Sequence, residues 1–226
     1  MKILCLSTAE PGCSLAIIDG KSIVCEEFWT ARLTHSKRLV KMIEHMLTNR
    51  ACMDLSDMDT FVAARGPGSF TGLRIGISVV KGMAYAMGKP GVGVSSLDGI
   101  GFRFVHSSIP VCVMMDARRN EVYCAVYQFD HGRLVSKSKE RVVCPEEAVE
   151  MADNAALFAG SGSKAYKDII EQKADNPRFA HEFLDSVNAA ALVLSLTSKD
   201  NFLDNSENIL VPSYIRKSDA QLQFAK

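Results

Sequence analysis

The alternation of apolar and polar positions predicts a chain of mixed strands and helices. Three strand-like segments come first, "KILCLS", "SLAIID" and "SIVCEEFW", separated by the turn residues "TAEPGC" and by Asp19-Gly20. A helical period follows in "THSKRLVKMIEHMLTNR", which we call helix one, with Thr34 or Ser36 as its expected cap. Its apolar positions recur at helical spacing: Leu39, Val40, Met42, Ile43, Met46 and Leu47.

A glycine-rich corner then leads into a second helix. "TFVAAR" predicts a strand, and the pattern from about Thr71 to Met87 predicts the helix that we call helix two. Gly88 and Pro90 form its expected C-terminal stop. "GVGVSSLDGIGF" predicts a short strand that enters another helix.

From Val111 the pattern begins again. "VCVMMDARRNEVYCAVY" resembles "ILCLSTAEPGCSLAII" in length and layout: Ser7 to Ala16 and Asp116 to Ala125 both span nine positions. A helix led by Pro145, a strand "ALFAGSG" and a helix from about Ser186 to Thr197 follow. Two similar hairpins also arise by chance, but each of these heads a long stretch of strands and helices. The sequence therefore favours two duplicated α/β halves.

Composition and charge exclude several classes of function. The 226 residues are 47% hydrophobic, and 26 basic residues balance 26 acidic ones without a basic stripe for nucleic acid. The seven cysteines include no C-x-x-C pair, which argues against a zinc site or a redox dithiol and fits a reducing cytosol. No run approaches the roughly 20 apolar residues of a membrane span, and the N-terminal apolar run is too short for a signal peptide. We expect a soluble cytoplasmic protein.

The segment "GPGSFTGLRIG", Gly66 to Gly76, raises the question of a phosphate cradle. It lacks the Gly-Lys pair of a P-loop, and Gly72 comes one place too late for G-x-G-x-x-G. Two interpretations stay open. The helix N-terminus and the hydroxyls of Ser69 and Thr71 hold an anion, or the glycines turn the chain sharply and Thr71 caps the helix.

Small residues recur along helix two. Gly72 and Gly76 are followed by Ser78, Gly82 and Ala86 at intervals of four. Because glycine in a helix costs about 1 kcal/mol relative to alanine, their repetition indicates close approach of another backbone. The neighbour is the protein's own sheet, another helix or a second polypeptide.

Several segments together resemble the bacterial TsaB (YeaZ) family. They are "GPGSFTGLRIG", "KGMAYAMGKPGVGVSSLDGI", "HSKRLVKMIEHML", "DARRNEVYCAVY" and "VPSYIRKSDAQ". The resemblance implies an actin-like ATPase fold (ASKHA, ribonuclease H-like) of two duplicated halves, with mixed sheets flanked by helices. The halves are expected at residues 1–104 and 105–226, with the last segment packing back on the first half.

The resemblance also implies a function. The family is a non-catalytic partner of TsaD; with the ATPase TsaE, they transfer a threonylcarbamoyl group to the adenosine beside the anticodon of tRNAs that read codons starting with A. It implies a homodimer in isolation, tRNA contact only through the complex, no membrane, and no cofactor on this chain alone. ATP and magnesium are used by the complex, near the subunit interface.

Two departures argue against catalysis by this chain. TsaD-like relatives carry H-x-x-x-H where "SLDGI" places Ser96 and Ile100, and the family's Asp-Thr-Ser is Ser7-Thr8-Ala9 here. No catalytic or metal-binding residue is therefore expected, and the chain alone should neither hydrolyse ATP nor bind zinc or iron. A small ASKHA-type kinase or a metallopeptidase-like enzyme is the alternative, but of the hairpin carboxylates it would require only Asp116 is present. A purely structural homodimer is a third reading.

The expected site residues fall into two sets. Helices one and two are expected to bind the partner, through His35, Leu39, Met42, Met46, Gly76, Ser78, Gly82 and Ala86. The alternative, that both faces are internal, stays open. A weaker nucleotide or anion contact is expected at Thr8, Gly66, Gly68, Ser69, Thr71 and Asp116.

Overall fold

The computed structural model describes residues 1–30, 35–153, 156–198 and 209–216, with the backbone alone for residues 35–37. It divides into two compact units. Among these described residues, the first unit comprises Met1–Gly99 with Val187–Ser213, and the second comprises Ile100–Ser186 with residues 214–216. The break after Gly99 comes slightly earlier than the expected boundary at residue 104.

The first unit is built on a five-stranded mixed sheet. Its strands are β1 (Lys2–Ser7), β2 (Gly12–Asp19), β3 (Ser22–Thr30), β4 (Thr60–Gly66) and β5 (Gly91–Ser95). They lie in the order β3-β2-β1-β4-β5; β1, β2 and β3 form an antiparallel meander, while β4 and β5 run parallel to β1. Strands β1, β2 and β4 are buried at nearly every position, which requires cover on both faces of the sheet.

The second unit repeats this plan. Its strands are β6 (Val111–Arg118), β7 (Glu121–Asp130), β8 (Arg133–Lys137), β9 (Arg141–Val143), β10 (Leu157–Ala159) and β11 (Arg178–Phe179). Their order is β11-β10-β6-β7-β8, with β9 also paired to β7. An antiparallel meander again heads the sheet, and β10 and β11 run parallel to β6. The shared strand order confirms the predicted architecture of two duplicated α/β halves, each with a mixed sheet flanked by helices.

Helices flank the two sheets. They are α1 (His35–His45), α2 (Phe70–Met87), α3 (Asp98–Gly101), α4 (Pro145–Met151), α5 (Ser161–Ala165), α6 (Lys167–Lys173) and α7 (Ala189–Thr197). In the first unit α2 packs on β1, β4 and β5 and contacts α1, while α7 packs across all five strands. No helix in the part of the chain described here is long and apolar enough to cross a membrane.

Two predicted helix starts need correction. The described part of helix one begins at His35, so Ser36 lies inside the helix and is not its cap. Thr34, the other predicted cap, lies outside the described residues. Helix two begins at Phe70, and Ser69 rather than Thr71 is its cap, because Ser69 Oγ accepts a hydrogen bond from the Gly72 amide at 3.2 Å. Its predicted end is confirmed: Gly88 adopts φ +61° and closes the helix.

Helix one also ends earlier than its apolar period suggested. Regular α-helix stops at His45, and the chain continues through a wider π-type turn from Met46 to Ala51. Cys52 follows in the left-handed conformation, and its amide donates to the Leu47 carbonyl. The apolar residues predicted for this segment nevertheless pack into the core, because Met46 and Leu47 are buried.

The two edges of the first sheet differ. Residues 209–213 cover β5: Ile209 bridges Val92, and the Ser213 amide donates to the Arg65 carbonyl at 2.7 Å. At the other edge β3 leaves large apolar side chains exposed, namely Ile23, Val24, Phe28 and Trp29. An exposed edge strand of this length is a surface that a binding partner can use.

Four of the seven cysteines are buried strand residues: Cys5, Cys13, Cys112 and Cys124. Burial raises the pKa of the Cys13 thiol to about 11, which keeps it protonated at neutral pH. These side chains therefore serve as small hydrophobic groups.

Asn188 anchors the start of α7, and its replacement tests that role. Asn188 Oδ1 accepts the Ala191 amide at 2.7 Å, and its Nδ2 donates to Glu26. We expect Asn188→Ala to lower the free energy of unfolding by about 1 kcal/mol, measured by urea denaturation, because an N-cap is lost. Asn188→Ser, which can still cap, should lose less. Equal losses in the two variants would contradict the capping role.

Candidate functional site

The start of α2 packs closely against the corner that follows β1. The Ser69 amide donates to the Ala9 carbonyl at 2.7 Å, and Thr8 Oγ1 donates to the Gly72 carbonyl at 2.8 Å. A Cβ atom added at Gly72 would overlap the carbonyl oxygen of Thr8. The same addition at Gly76 would overlap Thr8 Oγ1. Glycine is required at position 72 because the two backbone segments touch there, and at position 76 because the Thr8 and Leu6 side chains occupy the space of a Cβ.

This packing bears on the phosphate-cradle question. Thr8, Gly66, Gly68, Ser69 and Thr71 do gather at one end of the first unit, and Thr71 is exposed. However, the Ser69 and Gly72 amides are already bonded within the unit. Gly68, with φ +151°, has no room for a Cβ beside the Ala9 carbonyl. The sharp-corner interpretation therefore accounts for the glycine motif, and the anion contact stays a prediction.

Asp116, the remaining member of that set, belongs to the second unit. It is exposed near the end of β6, and its Oδ1 accepts from the Arg118 amide at 2.8 Å and from the Tyr166 hydroxyl at 3.4 Å. Burial and this neighbouring carboxylate raise the pKa of the Tyr166 hydroxyl. The bond to Arg118 gives Asp116 the local role of a residue that shapes the end of its strand.

Ser96 and Ile100, the two positions at which the resemblance implied a missing pair of imidazoles, lie in the interior. Ser96 and Ile100 both have 0% exposure, and Ser96 Oγ has no hydrogen-bond partner. Within the residues that the structure describes, no group of three or more His, Cys, Asp or Glu side chains could hold a metal ion. The expectation that the chain binds no metal stays a prediction.

The outer surface of α1 and α2 forms an apolar groove of about 440 Å³, which we call the α1–α2 groove. Lining residues are Val40, Ile43, Glu44, Leu47, Thr48, Met53, Asp54, Leu55, Ser78, Val79, Gly82 and Met83. Val40 is 60% exposed, and Gly82 has no atom within 4 Å of an added Cβ. Its charged lining residues, Glu44 and Asp54, are exposed. A groove with an apolar interior and polar margins suits a protein partner.

The structure separates the predicted partner-binding residues. Ser78, Gly82 and Ala86 are exposed on one face of α2, so for this stripe the internal alternative is wrong. Leu39 and Met46 are each 1% exposed, and Gly76 is buried against Thr8. These three residues were predicted to bind the partner, but they belong to the core, because their side chains or Cα atoms face the sheet.

Two further members of the set need comment. Met42 is half-buried and lines a different groove, on the β3 side of α1. The His35 side chain lies outside the described part of the structure. Met53, Leu55 and Met83 were missed by sequence reasoning. The first two follow helix one in a segment without helical periodicity, so no pattern marked them.

Comparison with known proteins places this geometry in a family. The family model for TsaD, tRNA N6-adenosine threonylcarbamoyltransferase, matches residues 29–224. A relative from Bacillus subtilis named tRNA threonylcarbamoyladenosine biosynthesis protein TsaB is 28% identical over 99% of this chain and 98% of its own length. The Escherichia coli protein of that name is 33% identical over 75% of each chain. The structure of YeaZ from Pseudomonas aeruginosa has a TM-score of 0.78 at 29% identity and covers 94% of this chain and 99% of that one.

The two kinds of glycine in α2 make a direct prediction. Gly72→Ala should lower the free energy of unfolding by roughly 1–3 kcal/mol, because its Cβ meets the Thr8 backbone and the helix must shift. Gly82→Ala meets open space and should raise stability by up to about 1 kcal/mol through helix propensity. Urea denaturation of both variants measures the difference. A stable Gly72→Ala protein would show that the helix is not held by this contact.

Proposed function

The chain belongs to the TsaB (YeaZ) family of tRNA threonylcarbamoyladenosine biosynthesis proteins, and we propose that it is a non-catalytic subunit that activates a TsaD-like transferase. A TsaE-like ATPase completes the assembly. The complex modifies the adenosine beside the anticodon in tRNAs that read codons starting with A. This chain contributes the surface on which the catalytic subunit docks.

The exposed position of Gly82 is the observation that carries this proposal. A glycine inside an exposed helix weakens the helix and does nothing for the isolated unit, where an added Cβ would meet nothing within 4 Å. It becomes useful when another helix packs on α2, because a missing side chain lets the two axes approach. The neighbouring α1–α2 groove then receives side chains of that helix.

The groove also supplies a driving force for docking. Val40 is 60% exposed, and the lining includes further aliphatic and methionine side chains from α1, α2 and the segment between them. Covering such surface contributes about 25 cal/mol for each Å² of apolar area removed from water. Methionine side chains adapt to more than one partner shape. The same surface therefore suits both a homodimer in isolation and the TsaD-like subunit, which would compete for it.

A scaffold role fits the side chains at the positions where relatives carry catalytic groups. Ser7 stands where the family has aspartate, and its Oγ accepts the Ala9 amide at 3.4 Å. Ser96 and Ile100 are buried. ATP and magnesium are proposed to act in the complex, and tRNA to be reached through it, since the chain has a net charge of zero.

Reconstitution with Gly82→Leu tests the docking surface. TsaD-like and TsaE-like proteins, the carbamoyl-adenylate donor and tRNA are combined with and without this chain, and modified adenosine is measured. We expect Gly82→Leu to stay folded, because the site is open, but to lose complex formation and at least about tenfold in modification, equivalent to 1.4 kcal/mol of binding.

The matched control is Ala165→Leu, which places the same side chain on an exposed helical position of the second unit. It should leave both complex formation and modification unchanged. Modification that is equally high without this chain would overturn the activator role. A folded Gly82→Leu protein that still forms the complex would overturn the α1–α2 groove as the docking surface.

A further inference from the structure

A second groove lies on the opposite side of α1, between that helix and the open strand β3. It has a volume of about 620 Å³, within the range of small-ligand sites. Its lining residues are Glu27, Phe28, Trp29, Arg38, Lys41, Met42, His45 and Arg50. We call it the β3–α1 groove. It lies within the first unit, and it shares no lining residue with the α1–α2 groove.

One large aromatic ring, that of Trp29, is exposed at this groove, and the residue is 43% exposed. The neighbouring Phe28 side chain points to the other face of the sheet, where its ring lies beside Gly12. The Arg38 guanidinium carbon lies 5.4 Å from the centre of the Trp29 ring, a cation–π arrangement. Exposed aromatic faces with a flanking arginine are the usual means by which proteins stack flat rings.

The charge of the groove is positive even though the chain as a whole is neutral. Arg38, Lys41 and Arg50 are exposed cations, and His45 adds a further nitrogen donor or acceptor. Glu27 is the carboxylate among the described lining residues, and it lies 3.7 Å from Arg50 Nε. Arg38 and Lys41 are therefore placed to bind an anion beside the Trp29 ring.

We propose that the β3–α1 groove binds a nucleotide, with the base against Trp29 and the phosphate on Arg38 and Lys41. An acidic peptide would satisfy the cations but leave the Trp29 ring in water, whereas a nucleotide contacts both. The ligand is either a free nucleotide or one nucleotide of a single-stranded RNA segment. This proposal does not depend on the docking of a TsaD-like subunit.

Trp29 is the only tryptophan of the chain, so its fluorescence reports on this groove alone. The full chain is titrated with AMP, a short oligoadenylate RNA, adenosine and inorganic phosphate. We expect AMP or the oligonucleotide to change the fluorescence at a concentration at least about tenfold lower than adenosine or phosphate, since each of these lacks one set of contacts. Saturation by AMP identifies a free-nucleotide site, and saturation by the oligonucleotide alone identifies an RNA site.

Variants separate this site from a nonspecific electrostatic effect. Arg38→Ala with Lys41→Ala should weaken binding by at least about tenfold, because two charge-assisted contacts are lost. Lys89→Ala removes an exposed cation at the far end of α2 and should leave binding unchanged. No saturable change with either nucleotide ligand, an equal effect of Lys89→Ala, or equally tight binding of a glutamate-rich peptide would overturn the proposal. Circular dichroism establishes that each variant is folded.

Discussion

The structure of the first unit depends on the contact between the start of α2 and the backbone of Thr8 and Ala9. Gly72 and Gly76 lie so close to Thr8 that neither position accepts a Cβ atom. The Ser69 amide and the Thr8 hydroxyl tie the same two segments together by hydrogen bonds. A helix held by backbone contact cannot rotate about its axis without losing those bonds. This contact therefore decides which side chains of α2 face the sheet and which face solvent.

The exposed features follow from that fixed rotation. Residues of an ideal α-helix advance by about 100°, so Gly76 and Gly82 point about 120° apart around α2. With Gly76 against β1, Gly82 must lie on the outer side, in line with Ser78 and Ala86 one turn away in each direction. Helix α1 then packs beside α2, and its buried residues Leu39, Ile43, Met46 and Leu47 fix its own orientation. One groove opens on each side of α1, an apolar one toward α2 and a basic, aromatic one toward β3.

Much of this arrangement could be predicted from the sequence, and the failures have physical causes. Strand runs, the hairpin repeat and the end of α2 at Gly88 depend on local signals, and the structure reproduces them. Apolar periodicity predicted a wide apolar arc on helix one but not which part of that arc the sheet covers. Leu39 and Met46 were therefore assigned to the partner-binding surface, although the sheet buries them. Gly76 was assigned to the partner-binding surface together with Ser78, Gly82 and Ala86, while helix geometry separates Gly76 from Gly82. Met53 and Leu55 line the α1–α2 groove from an irregular segment that carries no period.

The contact between the start of α2 and Thr8 also explains why the fold can be kept while the side chains at the strand ends change. The α2 corner is held by glycines, backbone carbonyls and short hydroxyl side chains, and none of these is an acid or an imidazole. Ser7 bonds within its own turn, and Ser96 is enclosed by the core, so neither position needs a charged group for the unit to fold. A chain of this architecture can therefore keep its sheets, its helices and its exposed α2 face while the side chains at the strand ends vary. The two proposed functions accordingly use surfaces that the fold holds in place, the two grooves beside α1.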